Sequence, residues 1–112
     1  MIDINAEAEK SLLKTKYRIE YQYPKTWAEL PTVSFYNLTE APGFSTDNAE
    51  DIQQGIIQVD IWAAEPQDTG DMAVKINDVL TADGWYREMS RDIPPVDDVY
   101  HRTMRYTKDF II

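Results

Sequence analysis

The chain's only histidine, His101, lies beside Tyr100, Arg102 and Arg105 in a segment that alternates like a strand. An imidazole can serve as a general base near neutral pH. A strand position does not by itself make a site, so we read His101 as a half-exposed strand histidine. The sequence has no cysteine, which removes thiol nucleophiles, thiolate metal sites and disulfides from consideration. Ser34, His101 and an aspartate can be written as a Ser–His–Asp set, but no elbow motif surrounds the serine. The neighbouring acids Glu50-Asp51 and Asp97-Asp98 are the obvious carboxylate pairs for acid–base work. Adjacent strand residues point to opposite faces, so such pairs rarely converge. Asp47, Asn48, Glu50 and Asp51 could together offer oxygens to a hard cation, yet the calcium-loop pattern is missing and a solvated acidic loop is the simpler reading. The glycines are dispersed and form no phosphate cradle. The expectation is a protein with no catalytic residues, no cofactor and no metal.

Charge is distributed unevenly. Between Lys25 and Lys75 there is no Lys or Arg, while nine acids fall there; the flanks hold eleven acids and eleven bases, giving a net charge of −9. Such a middle region repels phosphates and is unsuited to ordinary DNA binding. Solubility alone is one explanation of it. Against this stand Arg87, Arg91, Arg102 and Arg105, on two consecutive predicted strands. Paired antiparallel, they could form a small basic patch. One reading is cross-strand pairing with Glu88, Asp92, Asp97 and Asp98, at a few tenths to about 1 kcal/mol per pair. The other is docking onto the acidic middle of a neighbouring copy, a head-to-tail contact of the kind that closes into rings.

The elements that must position these groups follow from periodicity. Residues 3–15 read as a helix capped by Asp3 or Asn5, with Glu7 and Glu9 early and Lys10 and Lys14 late. Residues 17–23 and 32–39 alternate as strands, the second with Val33 and Phe35 inward. Residues 40–51 carry Pro-Gly punctuation and small polar residues and read as a long acidic loop with Phe44 at its tip. Phe44, Asp47, Glu50 and Asp51 are its candidate contact residues. Residues 52–63 are apolar on both faces, as in a central strand, with Gly55 a candidate bulge. Residues 68–83, capped by Asp68 or Thr69, present Met72, Ile76, Val79 and Leu80 as a stripe, and Gly84 suits the position past the helix end. Strands are expected at 85–92 and 99–107, separated by a break at Pro94-Pro95 and Asp97-Asp98. The tail 108–112 must dock or stay flexible. The fold class is therefore α+β: a mostly antiparallel sheet of four to five strands with two helices on one face, in the order α-β-β-(long loop)-β-α-β-β. One domain over 1–112 suits this length. No apolar run reaches the ~18 residues of a membrane span, and Met1–Glu7 lacks the basic start and apolar stretch of a leader.

Three stretches carry a resemblance: Val59-Asp60-Ile61-Trp62-Ala63, the helix end Val79-Leu80-Thr81-Ala82-Asp83-Gly84-Trp85, and the closing His101-Arg102-Thr103-Met104-Arg105-Tyr106. With the strand Pro31-Thr32-Val33-Ser34-Phe35-Tyr36, this order resembles the tail completion, or tail-to-head joining, proteins of long-tailed bacteriophages and prophages, which are related in fold to tail terminators. The resemblance spans roughly residues 31–107. It implies a structural part without enzyme activity or cofactor. It implies a homo-oligomeric ring, commonly a hexamer and monomeric before assembly in some cases, between the tail tube and the head connector. DNA would pass through the bore without specific binding, and like charge would keep the duplex sliding. The implied location is the host bacterial cytoplasm during assembly and then the head–tail junction of the virion. Two other readings stay open. One is an acidic inhibitory module that mimics DNA, although the uncharged stretches at 30–39 and 52–59 argue against a continuous phosphate-like stripe. The other is a small hydrolase or metal enzyme, which needs carboxylates converging on a pocket.

Overall fold

Asp3 begins the first helix, its carboxylate accepting the Ala6 N–H at 3.2 Å. This helix, α1, runs Ile4–Leu12 and tightens into a 3-10 turn at Leu13–Thr15. The computed structural model describes residues 1–42, 45–46, 49–50 and 52–112, with only the backbone at 42, 45–46 and 49–50. Its strands are β1 (Ile19–Tyr21), β2 (Thr32–Pro42), β3 (Ser45–Thr46), β4 (Ala49–Glu50), β5 (Ile52–Ala63), β6 (Tyr86–Val96) and β7 (Val99–Ile111), with the second helix α2 at Pro66–Ala82. Five of them form one sheet in the order β1-β2-β5-β7-β6. The β1–β2 pair is parallel and the others are antiparallel, so the sheet is mixed and the class is α+β.

Both helices pack on one face. Ile4, Ala8 and Leu12 of α1 and Met72, Ala73, Ile76 and Leu80 of α2 meet Val33, Phe35, Ile57, Val59, Ile61, Met104 and Tyr106 of the sheet in a single apolar cluster. Each large side chain sunk there contributes about 1.5–3 kcal/mol relative to exposure. The stripe read from the sequence holds at Met72, Ile76 and Leu80, whereas Val79 is half-buried at its border.

Several local expectations are corrected. Helix α2 starts two residues before Asp68, at Pro66, whose missing N–H costs nothing in the first turn; Thr69 is inside the helix and donates to the Pro66 carbonyl. Gly55 is not a bulge. A Cβ there would come within 2.7 Å of Ile4, so the glycine lets α1 approach β5. The register irregularity sits on β2, between Asn37 and Thr39. Strand β6 runs on through Pro94-Pro95, although neither proline pairs with β7: the register shifts between Ile93 and Val96, and the irregularity is tolerated on an edge strand. The turn itself is Asp97-Asp98, both at positive φ (53° and 61°), as a two-residue hairpin of the primed type requires. The residues from 108 onward are not a loose tail: β7 runs to Ile111, and buried Phe110 lies edge-on to Trp85. In the segment expected as a loop, residues 40–42 extend β2 beside β5, and β3 and β4 pair as a small hairpin. Phe44, Asp47 and Asp51 lie outside the described residues, as does the side chain of Glu50.

Candidate interaction surface

The register fixes what the second face of the sheet carries. Opposite the helices stand Thr32, Ser34 and Tyr36 of β2, then Gln58, Asp60 and Trp62 of β5. Beside them lie His101, Thr103, Arg105 and Thr107 of β7 and Met89, Arg91 and Ile93 of β6. Among the described residues no helix packs on this face. Most of its side chains are polar or aromatic, the inverse of the covered face.

At one end the polar groups interlock. Trp62 and His101 are directly paired across the strands, and their rings stack with centroids 3.7 Å apart. The Trp62 indole N–H donates to Ser34 Oγ at 2.9 Å. His101 Nε2 lies 2.7 Å from Asp60 Oδ1, and the Gln58 amide reaches the same carboxylate at 3.2 Å. Asp60 is only 4% exposed, so its charge needs these partners. The serine, histidine and aspartate weighed as a catalytic set thus share a face but form two separate pairs. Ser34 is engaged by Trp62, and His101 turns its Nε2 to Asp60.

Trp62 is covered from above by Tyr23 and Trp27 of the β1–β2 connection, each with its ring centroid 5.1 Å from the Trp62 ring. Across from this aromatic wall stand Ile93, Val96 and Val99 of the β6–β7 hairpin, and His101 lies between. The resulting groove has a volume of about 570 Å³. Tyr23, Trp27 and Val96 remain substantially exposed along it.

Further along β7 the polar groups lack partners. Thr103 Oγ1, Arg105 Nε and Thr107 Oγ1 are buried atoms without a hydrogen bond among the described residues. All three belong to the bare face, at successive alternate positions. Buried polar atoms without partners are costly, and Asn5, Asn37 and Trp85 each hold one elsewhere in the fold as well.

The four arginines do not form one patch, because the register divides them. Arg102 points to the helix-covered face, where it donates to Ser90 Oγ at 3.0 Å and to Asp92 at 3.2 Å. Arg87 lies opposite Tyr106 and so belongs to that same side, exposed at the edge. A register shift between Arg87 and Met89 then puts Arg91, opposite Thr103, on the bare face, where simple alternation along β7 already places Arg105. The shift is invisible to a strict period of two. Asp97 and Asp98 do not converge as a pair; they form the hairpin turn. Among the described residues no three His, Cys, Asp or Glu side chains gather as metal ligands.

Sequence reading missed Tyr23, Trp27, Asp60 and the threonines of β7 as site residues. The signal for Asp60 and Trp62 was present, since both fall on the second face of the strand over 52–63. Their pairing with His101 and Ser34 is non-local and needed the strand register.

No protein-family model matches this chain, and no curated protein sequence matches it. Among solved structures the chain is similar to gp17 of bacteriophage SPP1, with a TM-score of 0.55 at 13% sequence identity. The likeness covers 96% of this chain and 87% of that one. At this identity it establishes a shared fold.

Proposed function

We propose that this chain is a structural protein of a long-tailed bacteriophage or prophage, one that completes the tail and joins it to the head connector as a homo-oligomeric ring around the DNA channel. The observation that carries the reading is the fold shared with a bacteriophage protein over nearly the whole length of both chains. The resemblance of residues 31–107 to tail completion proteins gives it its finer content. The bare sheet face supports it, because the exposed side chains of Tyr23, Trp27 and Val96 along an aromatic groove suit contact with another protein surface better than exposure to water. The net charge of −9 suits a channel through which DNA slides without sticking. The chain performs no reaction in this reading and takes no cofactor. It acts in the bacterial cytoplasm during assembly and afterwards at the head–tail junction.

Genetic complementation tests it. Deleting the gene from its parent phage or prophage is expected to leave filled heads and separate tails, visible by negative-stain electron microscopy. Supplying the chain in trans restores joined, infectious particles. Normal particles from the deletion strain would overturn the assignment.

A further inference from the structure

The groove between Trp27 and Val96 is built before anything enters it. Its floor is fixed by the Trp62–His101 stack and by the bonds from Trp62 to Ser34 and from His101 to Asp60. Its hairpin wall is fixed by β6–β7 pairing, which resumes at Val96 and Val99 around the left-handed Asp97-Asp98 turn. A groove organised in this way does not charge an incoming segment for ordering the receptor.

The charges around it are one-sided. Arg18, on the aromatic side, is held by Glu20 at 2.8 Å and also pairs with Glu29. Arg102 is held by Asp92 on the other side of the sheet. Lys25, in the connection before Trp27, and Arg91, two residues before Ile93 on the same face of β6, are the nearest cations without an ion pair among the described residues, and both lie away from the hairpin turn. At the hairpin end, Asp97 lines the groove and Asp98 adjoins it; both are exposed, and neither has an ion-pair partner among the described residues. The apolar walls therefore end at two free carboxylates.

We propose that this groove is a docking site for an extended segment of a different protein. The segment would place an apolar side chain between Trp27 and Val96 and a Lys or Arg over the Asp97-Asp98 turn. The free carboxylates at the rim call for a cationic residue beside an apolar one, and this charge complementarity selects the occupant. Aromatic anchors in a preformed pocket would supply most of the affinity, and the turn carboxylates would set orientation and rate of association. The inference rests on the groove's geometry and charge, and it stands or falls separately from the ring.

The test uses the full chain, immobilised, as bait for a displayed library of random twelve-residue peptides. Selected sequences are expected to share an apolar or proline core with Lys or Arg on one side. Their affinity is then measured by following Trp fluorescence. Trp27→Ala is expected to weaken binding by at least about tenfold. Asp97→Asn/Asp98→Asn, which keeps side chains that tolerate the left-handed turn, is expected to weaken it severalfold at low salt and hardly at all at high salt. Val96→Lys, at an exposed position, guards against a folding artefact in Trp27→Ala and should also abolish binding, with an unchanged melting temperature. The proposal is overturned if no sequence is enriched, if acidic sequences are, or if selected peptides bind all three variants equally. It is also overturned if Trp27→Ala and Val96→Lys abolish self-association in sedimentation, since the groove would then belong to a second copy.

Discussion

The two faces of one sheet are built on opposite rules. On the covered face, Val33, Phe35, Ile57, Val59 and Ile61 are at most 1% exposed and meet two helices. On the bare face, the same strands carry Ser34, Gln58, Asp60 and Trp62, joined by side-chain hydrogen bonds rather than by apolar packing. The first face supplies stability through area removed from water. The second obtains burial without a covering helix, by laying side chains across one another beneath Tyr23 and Trp27, and it leaves three polar atoms of β7 without partners among the described residues. An apolar, helix-covered face and a polar, aromatic one are thus separated by a period of two along β5 and β7.

The largest test of this division compares truncations on each side. Leu80→Ala, in the cluster under α2, is expected to cost about 2–5 kcal/mol, a large share of a small domain's stability. Trp62→Ala removes a bigger side chain, but from beside an open groove that water can fill, so a smaller loss is expected despite the greater volume. Urea unfolding of both variants decides it. A greater loss from Trp62→Ala would mean that the bare face also holds the fold together.

That contrast was partly legible in the sequence. The clean alternation of residues 52–63 revealed a strand with two useful faces, and the spacing of Met72, Ile76 and Leu80 revealed the helix that covers one of them. Pro-Pro at 94–95 misled, because a proline pair ends a central strand but not an edge strand, and edge status is a property of the assembled sheet. Arg87 and Arg91 misled for a related reason: the shift between Arg87 and Met89 reverses which side later residues of β6 face, and a shift leaves no mark in composition, whereas the opposite faces of Arg102 and Arg105 follow from alternation alone. Gly55 was noticed for the wrong reason, since its need for space comes from Ile4, fifty-one residues earlier. Local periodicity was readable; register and cross-chain proximity were not.

A second test is confined to the covered face. Tyr106 is fully buried and its hydroxyl donates to Asn77 Oδ1 at 2.8 Å. Burial pushes its phenol up to about 12, with Arg87 opposing and Asp78 adding to the effect. The unfolded chain ionises near pH 10, so above that pH it holds fewer protons than the folded chain. The contribution is complete below about pH 10 and is lost as pH rises towards 12, by at most about 2–3 kcal/mol. Urea midpoints at pH 9 and 11.5 should therefore differ more for the wild type than for Tyr106→Phe. Equal slopes would mean that Tyr106 ionises as freely folded as unfolded.

The smallest expected change in stability carries the most functional information. Arg105 sits on the bare face opposite Gln58 and Met89, with a buried Nε that lacks a partner. Arg102, three residues away, sits on the covered side and holds Ser90 and Asp92. Arg102→Glu loses two hydrogen bonds and sets a carboxylate beside Asp92, at an expected cost of about 1–2 kcal/mol. Arg105→Glu removes no hydrogen bond among the described residues but sets a carboxylate at a half-buried position diagonal to Asp60, so a smaller cost of about 0.5–1 kcal/mol is expected. If the bare face meets other subunits, however, the reversal should abolish assembly measured by sedimentation velocity at high protein concentration and by particle completion. The pair of variants separates the two roles, because each arginine reports on one face while chain position and charge change are nearly the same. Full assembly by Arg105→Glu, with assembly lost in a stably folded Arg102→Glu, would put recognition on the covered side and reverse the division.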